Sequence, residues 1–197
     1  MTDRYDDAAV HPELREVLIA YREVVGDGGL AAILDVTERR RVFDESSRRA
    51  SEGRSMPADV RVESFEVPGL AGAPDVRVRL YRPAGADELA APAWIYLHGG
   101  GMVVGGLDSS DLGAAHLAAD SGSVILSVDY RLAPETRFPG PVDDAVAALG
   151  WLHGGARELG VDPARIGVYG VSAGGLLAAS LAPVSYTHLT LPTILRV

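Results

Sequence analysis

From Val60 onward the sequence alternates short β-branched runs with helix-length segments, and that alternation leaves few folds open. The strand candidates are Val60–Val67, Val76–Arg82, Trp94–Leu97, Val124–Asp129 and Ile166–Tyr169. The last three are short continuous apolar runs, the pattern of strands buried on both faces. Helical spacing is expected over Leu112–Asp120 and Val142–Leu159, after an opening pair of strands with no helix between them. Strands that alternate with helices predict an α/β fold with a mostly parallel sheet and helices on both faces. Pro83–Pro92, rich in alanine with acidic residues and Gly85, reads as a surface connection.

The first third of the chain has a different period. Leu14, Val17, Leu18, Tyr21, Val24 and Val25 recur at helical spacing, with Pro12 near the start and Gly26 suited to the end. A second helix is expected over Leu30–Ala50, apolar at Leu30, Ile33 and Leu34 and then rich in arginine and acid, so that its second half presents a solvated face. Ser51–Pro57 breaks the pattern with small and turn-forming residues. The expected division is a helical region over 1–55, a core over 56–182 and a tail over 183–197.

Composition narrows the function. With 27 acidic against 18 basic residues the net charge is -9, which opposes nucleic acid and anionic membrane surfaces as partners. All 18 basic residues are arginine, a bias that GC-rich coding produces without functional demand. Cysteine is absent, so disulfides, thiol nucleophiles and cysteine-ligated metal sites are excluded, and no metal site is expected from any other cluster. The acidic start Met1–Asp7 lacks an apolar signal region, and no apolar run approaches spanning length. A soluble cytoplasmic protein acting on a small neutral or apolar molecule is the expectation.

Two glycine motifs carry chemistry. Gly170-Val171-Ser172-Ala173-Gly174 follows the Ile166–Tyr169 strand and precedes the helix-like run Gly175–Leu181, the strand–turn–helix setting of a nucleophile elbow. Glycines at Gly170 and Gly174 relieve crowding at a sharp turn, and the helix N-terminus stabilises negative charge beside Ser172. His98-Gly99-Gly100-Gly101 follows the Trp94–Leu97 strand directly, and its consecutive glycines leave backbone N–H groups free to meet a substrate oxygen. The expected oxyanion donors are the N–H groups of Gly100, Gly101 and Ala173. Read alone, the same loop has a flexible glycine connection as its minority alternative, and the elbow motif without its setting arises by chance in roughly one in ten chains with 23 glycines.

Together with Asp129-Tyr130-Arg131-Leu132-Ala133-Pro134-Glu135, these motifs resemble the hormone-sensitive lipase-like esterases of the α/β-hydrolase fold, over about Val60–Leu181. The middle motif, continued by Phe138-Pro139 and Asp143-Asp144-Ala145, looks like the family's segment between its fourth strand and the next helix. The resemblance implies cofactor-free hydrolysis of esters with short to medium acyl chains by Ser172, under an N-terminal helical cap formed by Pro12–Ala50. Met102 departs from the aromatic residue common in relatives and leaves the shape of the acyl pocket open. A small-molecule receptor without catalysis and an acyltransferase are alternatives on the same fold.

In this fold the triad runs serine, acid, histidine along the chain. After Ser172 there is no aspartate or glutamate, and the one histidine, His188, falls a few residues past the expected elbow helix. His11, His116 and His153 lie on or near helices, where solvated or packing roles fit them better than catalysis. The string Val184–Thr193 abandons the alanine-arginine-glycine style of the rest and resembles a translated sequencing adapter. Native coding is therefore expected to end near Ala182, with the acid and histidine encoded further on and the chain as written inactive.

Overall fold

The computed structural model describes residues 10–86 and 90–188, with side chains as far as Leu181. The chain divides into two compact units, one ending at Glu52 and one beginning at Gly53. Residues 87–89, the acidic start Met1–Asp7 and the tail from 189 onward lie outside the described residues.

The first unit holds α1 (Pro12–Val25), a single 3-10 turn (Leu30–Ala32) and α2 (Val36–Ala50). Proline in its first turn and Gly26, at φ 76°, bound α1 at the two ends the sequence marks. The helix expected from Leu30 instead begins at Val36. Gly29 is left-handed at φ 63°, and the Asp35 carboxylate accepts the Glu38 N–H at 2.8 Å, so the true N-cap lies past the apolar triplet. The polar half of α2 is laced by Arg41–Glu38, Arg48–Glu45 and Arg49–Glu45 pairs at 2.7–2.9 Å along a solvated face.

The second unit is a five-stranded sheet of order β1-β2-β4-β3-β5. Its strands are β1 (Val60–Val67), β2 (Val76–Pro83), β3 (Ala91–Leu97), β4 (Val124–Val128) and β5 (Val161–Gly170). The opening pair is antiparallel, in register from Val60 opposite Pro83 to Val67 opposite Val76, and β2 joins β4 antiparallel. On the other side β4, β3 and β5 run parallel. Alternation along each strand divides the core. Leu80, Ile95 and Leu126 face one layer with Leu149, Leu177 and Leu181, whereas Tyr81, Tyr96 and Ile125 face Ala114, Ala115 and Ala118. Helices α4 (Gly140–Gly154) and α5 (Ala173–His188) therefore cover one face and α3 (Leu107–Ser121) the other. This is the α/β sheet with helices on both faces expected from the alternation.

Several boundaries move. Helix α3 starts five residues before Leu112, because its polar opening is capped and paired: Ser109 Oγ and the Gly106 N–H are 3.0 Å apart, and Asp108 and Asp111 pair with Arg79. Helix α4 stops at Gly154 rather than Leu159, at a Gly154-Gly155 step. Strand β3 begins at Ala91, whose side chain is buried, so the last two residues of the expected connection belong to the sheet. Strand β5 begins at Val161, well before Ile166, with Pro163 and a register break opposite Ala91–Ala93 on a strand at the edge of the described sheet.

The register brings three chain exits to one end of the sheet. Leu97 of β3 lies opposite Val128 of β4 and Gly170 of β5. The segments that follow, starting at His98, Asp129 and Val171, leave the carboxyl edge side by side, where open α/β sheets bind their ligands.

Candidate active site

Ser172 lies between β5 and α5 with φ 52°, a left-handed conformation that costs an L-residue about 1–2 kcal/mol. Backbone bonds on both sides hold it there. The Val171 N–H donates to the Leu97 carbonyl at 3.1 Å, Gly174 N–H to the Val171 carbonyl at 2.9 Å, and Gly175 N–H to the Ser172 carbonyl at 2.9 Å. Ser172 itself is exposed.

The glycines around it are required by close approach rather than by φ. A Cβ on Gly170 would run into the Gly174 carbonyl, and one on Gly174 into the carbonyls of Leu97 and His98. A Cβ on Gly99 would stand 3.1 Å from the Val171 carbonyl and 3.5 Å from Cβ of Ser172. The His98–Gly101 loop and the elbow are thus packed backbone on backbone.

Beyond Gly99 the loop turns through three left-handed residues, Gly100 at φ 131°, Gly101 at 62° and Met102 at 63°. The Gly100 carbonyl accepts the N–H groups of Val103 and Val104, each at 3.0 Å. Among the described residues no hydrogen bond engages the N–H of Gly100, Gly101 or Ala173. Met102, a methionine in left-handed backbone, was not foreseen; its carbonyl accepts the Ala133 N–H at 2.7 Å.

His98 is 2 % exposed and its ring stacks on Tyr130, with centroids 4.2 Å apart and planes within 10°. Nδ1 lies 2.8 Å from the Gly99 carbonyl, which assigns the ring proton to Nδ1, and burial pushes the imidazole below its ordinary pKa. His98 is thereby a neutral structural group at the root of the loop. Among the described residues no histidine hydrogen-bonds Ser172. His116 and His153 lie within α3 and α4, and His11 precedes α1 in the first unit. His188, expected past the elbow helix, is instead the last residue of α5, about 22 Å along the axis from Ala173 at 1.5 Å per residue.

The third exit from the sheet is the Asp129–Glu135 segment. The Tyr130 hydroxyl donates to the buried His98 carbonyl at 2.7 Å. Asp144 of α4, 1 % exposed, accepts the Arg131 backbone N–H at 2.8 Å and its guanidinium at 2.7–3.0 Å. Asp129 accepts from Arg77 at 2.5 Å. Among the described residues no cluster of His, Asp or Glu could hold a metal ion.

A profile of the α/β-hydrolase fold family matches residues 94–193, just over half of the chain and the span that contains every residue described above from Trp94 onward. The chain belongs to the α/β-hydrolase fold family. Ethyl acetate hydrolase of Pseudomonas putida is 42% identical over 172 residues, 84% of this chain and 53% of that protein. The hyperthermophilic esterase from the archaeon Pyrobaculum calidifontis superposes with a TM-score of 0.80 at 38% identity, covering 90% of this chain and 54% of that one. A bacterial heroin esterase superposes at 0.82 with 35% identity, covering 94% and 56%. The chain spans about half the length of these α/β-hydrolase relatives. No described helix is long and apolar enough to cross a membrane.

Proposed function

We propose that the chain carries the nucleophile and oxyanion hole of a serine carboxylesterase of the hormone-sensitive lipase-like group, acting without a cofactor on small esters in the cytoplasm. The observation that carries the reading is the left-handed Ser172, exposed at a strand–helix junction, packed against a loop with uncommitted N–H groups. In the reaction Ser172 Oγ forms a bond to the ester carbonyl carbon while its proton passes to a histidine base. The carbonyl oxygen becomes an anion and meets the N–H groups of Gly100, Gly101 and Ala173. Collapse breaks the bond to the alkoxy group, which leaves with the histidine's proton. Water then attacks the acyl-enzyme by the same steps in reverse order and regenerates Ser172. The names of the relatives support the ester as substrate class.

The acid and the histidine are assigned, with further strands, to native sequence that continues from about Ala182. Residues 173–197 contain neither aspartate nor glutamate, and His188 stands at the far end of the helix that Ser172 opens. The reading includes a tail from about 183 that is foreign to the native gene and a 197-residue chain that is inactive by itself. The test is burst kinetics with p-nitrophenyl acetate in the full-length protein. A stoichiometric burst, with Ser172→Ala lowering kcat/KM by about 10⁴-fold or more, is the expected result. Unchanged hydrolysis in Ser172→Ala overturns the assignment.

A further inference from the structure

The segment Asp129–Glu135 was singled out by resemblance and has no part in the chemistry proposed above. Its contacts give it one. It touches the oxyanion loop at both ends: the Tyr130 hydroxyl donates to the His98 carbonyl at 2.7 Å, and the Ala133 N–H donates to the Met102 carbonyl at 2.7 Å. Between those two points lie Gly99, Gly100 and Gly101, three residues without side chains to fix their own backbone. The segment is itself anchored. Arg131, the residue between the two contacts and next to Tyr130, gives both its backbone N–H and its guanidinium to the buried carboxylate of Asp144. The His98 carbonyl held by Tyr130 is also the one that Gly174 approaches too closely to admit a Cβ, so the same oxygen touches the brace and the elbow.

We infer that Tyr130 is a positioning residue, whose hydroxyl fixes the His98 carbonyl and so sets the distance between the oxyanion donors of Gly100–Gly101 and Ser172, with Asp144 and Arg131 holding it in place. Of the three left-handed residues that follow Gly99, Met102 packs its side chain against the core, whereas Gly100 and Gly101 have no side chain to hold their own geometry. Displacement of the donors by a fraction of an ångström leaves ground-state binding intact and weakens the bonds that form only as the carbonyl oxygen becomes charged. The inference rests on the serine-esterase reading.

The experiment is Tyr130→Phe in the full-length protein, because phenylalanine keeps the stack on His98 and removes only the hydroxyl. The expected result is a fall in kcat of roughly ten- to a hundredfold with KM within about threefold. Affinity for a trifluoromethyl ketone, whose hemiketal oxygen occupies the oxyanion position, should fall by the same factor. Amide exchange over Gly99–Val104 should quicken while that of α3 and α4 stays unchanged, which separates a loosened loop from a loosened fold. A kcat within twofold of wild type overturns the inference. So does a fall in kcat with undiminished ketone affinity, or faster exchange throughout α3 and α4. Ser172→Ala, measured alongside, tells the two claims apart: if it is inactive and Tyr130→Phe is not impaired, the positioning role alone fails. If Ser172→Ala is active, the reading beneath it fails.

Discussion

Gly174 and Gly122 are both glycine for reasons of backbone geometry, but the reasons differ and so do the consequences of adding a methyl group. Gly122 ends α3 at φ 62° with open space around its missing Cβ. Gly122→Ala therefore carries only the left-handed penalty of about 1–2 kcal/mol, seen as a lower urea midpoint, and leaves kcat/KM unchanged. At Gly174 the obstacle is the carbonyls of Leu97, the last residue of β3, and of His98 just after it, which are backbone and cannot swing aside. Gly174→Ala has to push the elbow away from the His98 loop, separating Ser172 from the donors it faces. We expect a loss of kcat/KM of about a hundredfold or more in the full-length protein, because displacements near 1 Å have effects of that size. Comparable kcat/KM in the two alanine variants would mean that the loop and the elbow move together and that their close packing is not what sets the site.

At the scale of elements, α4 contributes to the site through one buried carboxylate. Asp144→Ala leaves the Arg131 N–H and guanidinium without their acceptor, on a side chain that is 30% exposed and so partly rescued by water. The expected loss is about 2–3 kcal/mol by urea unfolding, below the range for a fully buried pair. Asp143→Ala, on the neighbouring position of the same helical turn, should lose under about 1 kcal/mol, as an acidic residue near a helix N-terminus does. The sequence reveals the two glycine motifs because close backbone approach excludes every other residue and so leaves a mark at fixed spacing. It hides the brace, since Tyr130 meets His98 across 32 positions and Asp144 meets Arg131 across 13, contacts that exist only once β4, β3 and α4 are packed. The same division holds for the elements. The cores of β3, β4 and β5 are legible as apolar runs, whereas the start of α3 is polar: Ser109 caps locally onto Gly106, but Asp108 and Asp111 pair with Arg79, 29 and 32 positions away and outside a local window. The start of β5 is hidden by Pro163, which reads as a strand breaker and is tolerated where the pairing with β3 shifts register between Ala91 and Ala93.

Across the second unit, the parallel side of the sheet ends at β5, with no further strand beside it among the described residues. Parallel strands are ordinarily covered on both faces and flanked by neighbours, and natural edges are guarded by charge, proline or a bulge. The stretch Ile166–Gly170 has none of these guards, its proline and charged residues all falling earlier, at Asp162, Pro163 and Arg165. Beside it Tyr169 and Val171 are exposed, and Leu176 of α5 is 66% exposed. An unguarded edge next to apolar side chains favours self-association over a soluble monomer. The 197-residue polypeptide should therefore elute from size exclusion ahead of a monomer and bind a hydrophobic dye. Leu176→Arg should reduce the dye signal by removing apolar surface without touching the core. The full-length protein should show neither behaviour if the native sequence beyond about Ala182 continues the sheet at β5. A monodisperse, dye-silent 197-residue chain would show instead that this edge is protected from within the chain, and the assignment of further strands to β5 would lose its physical ground.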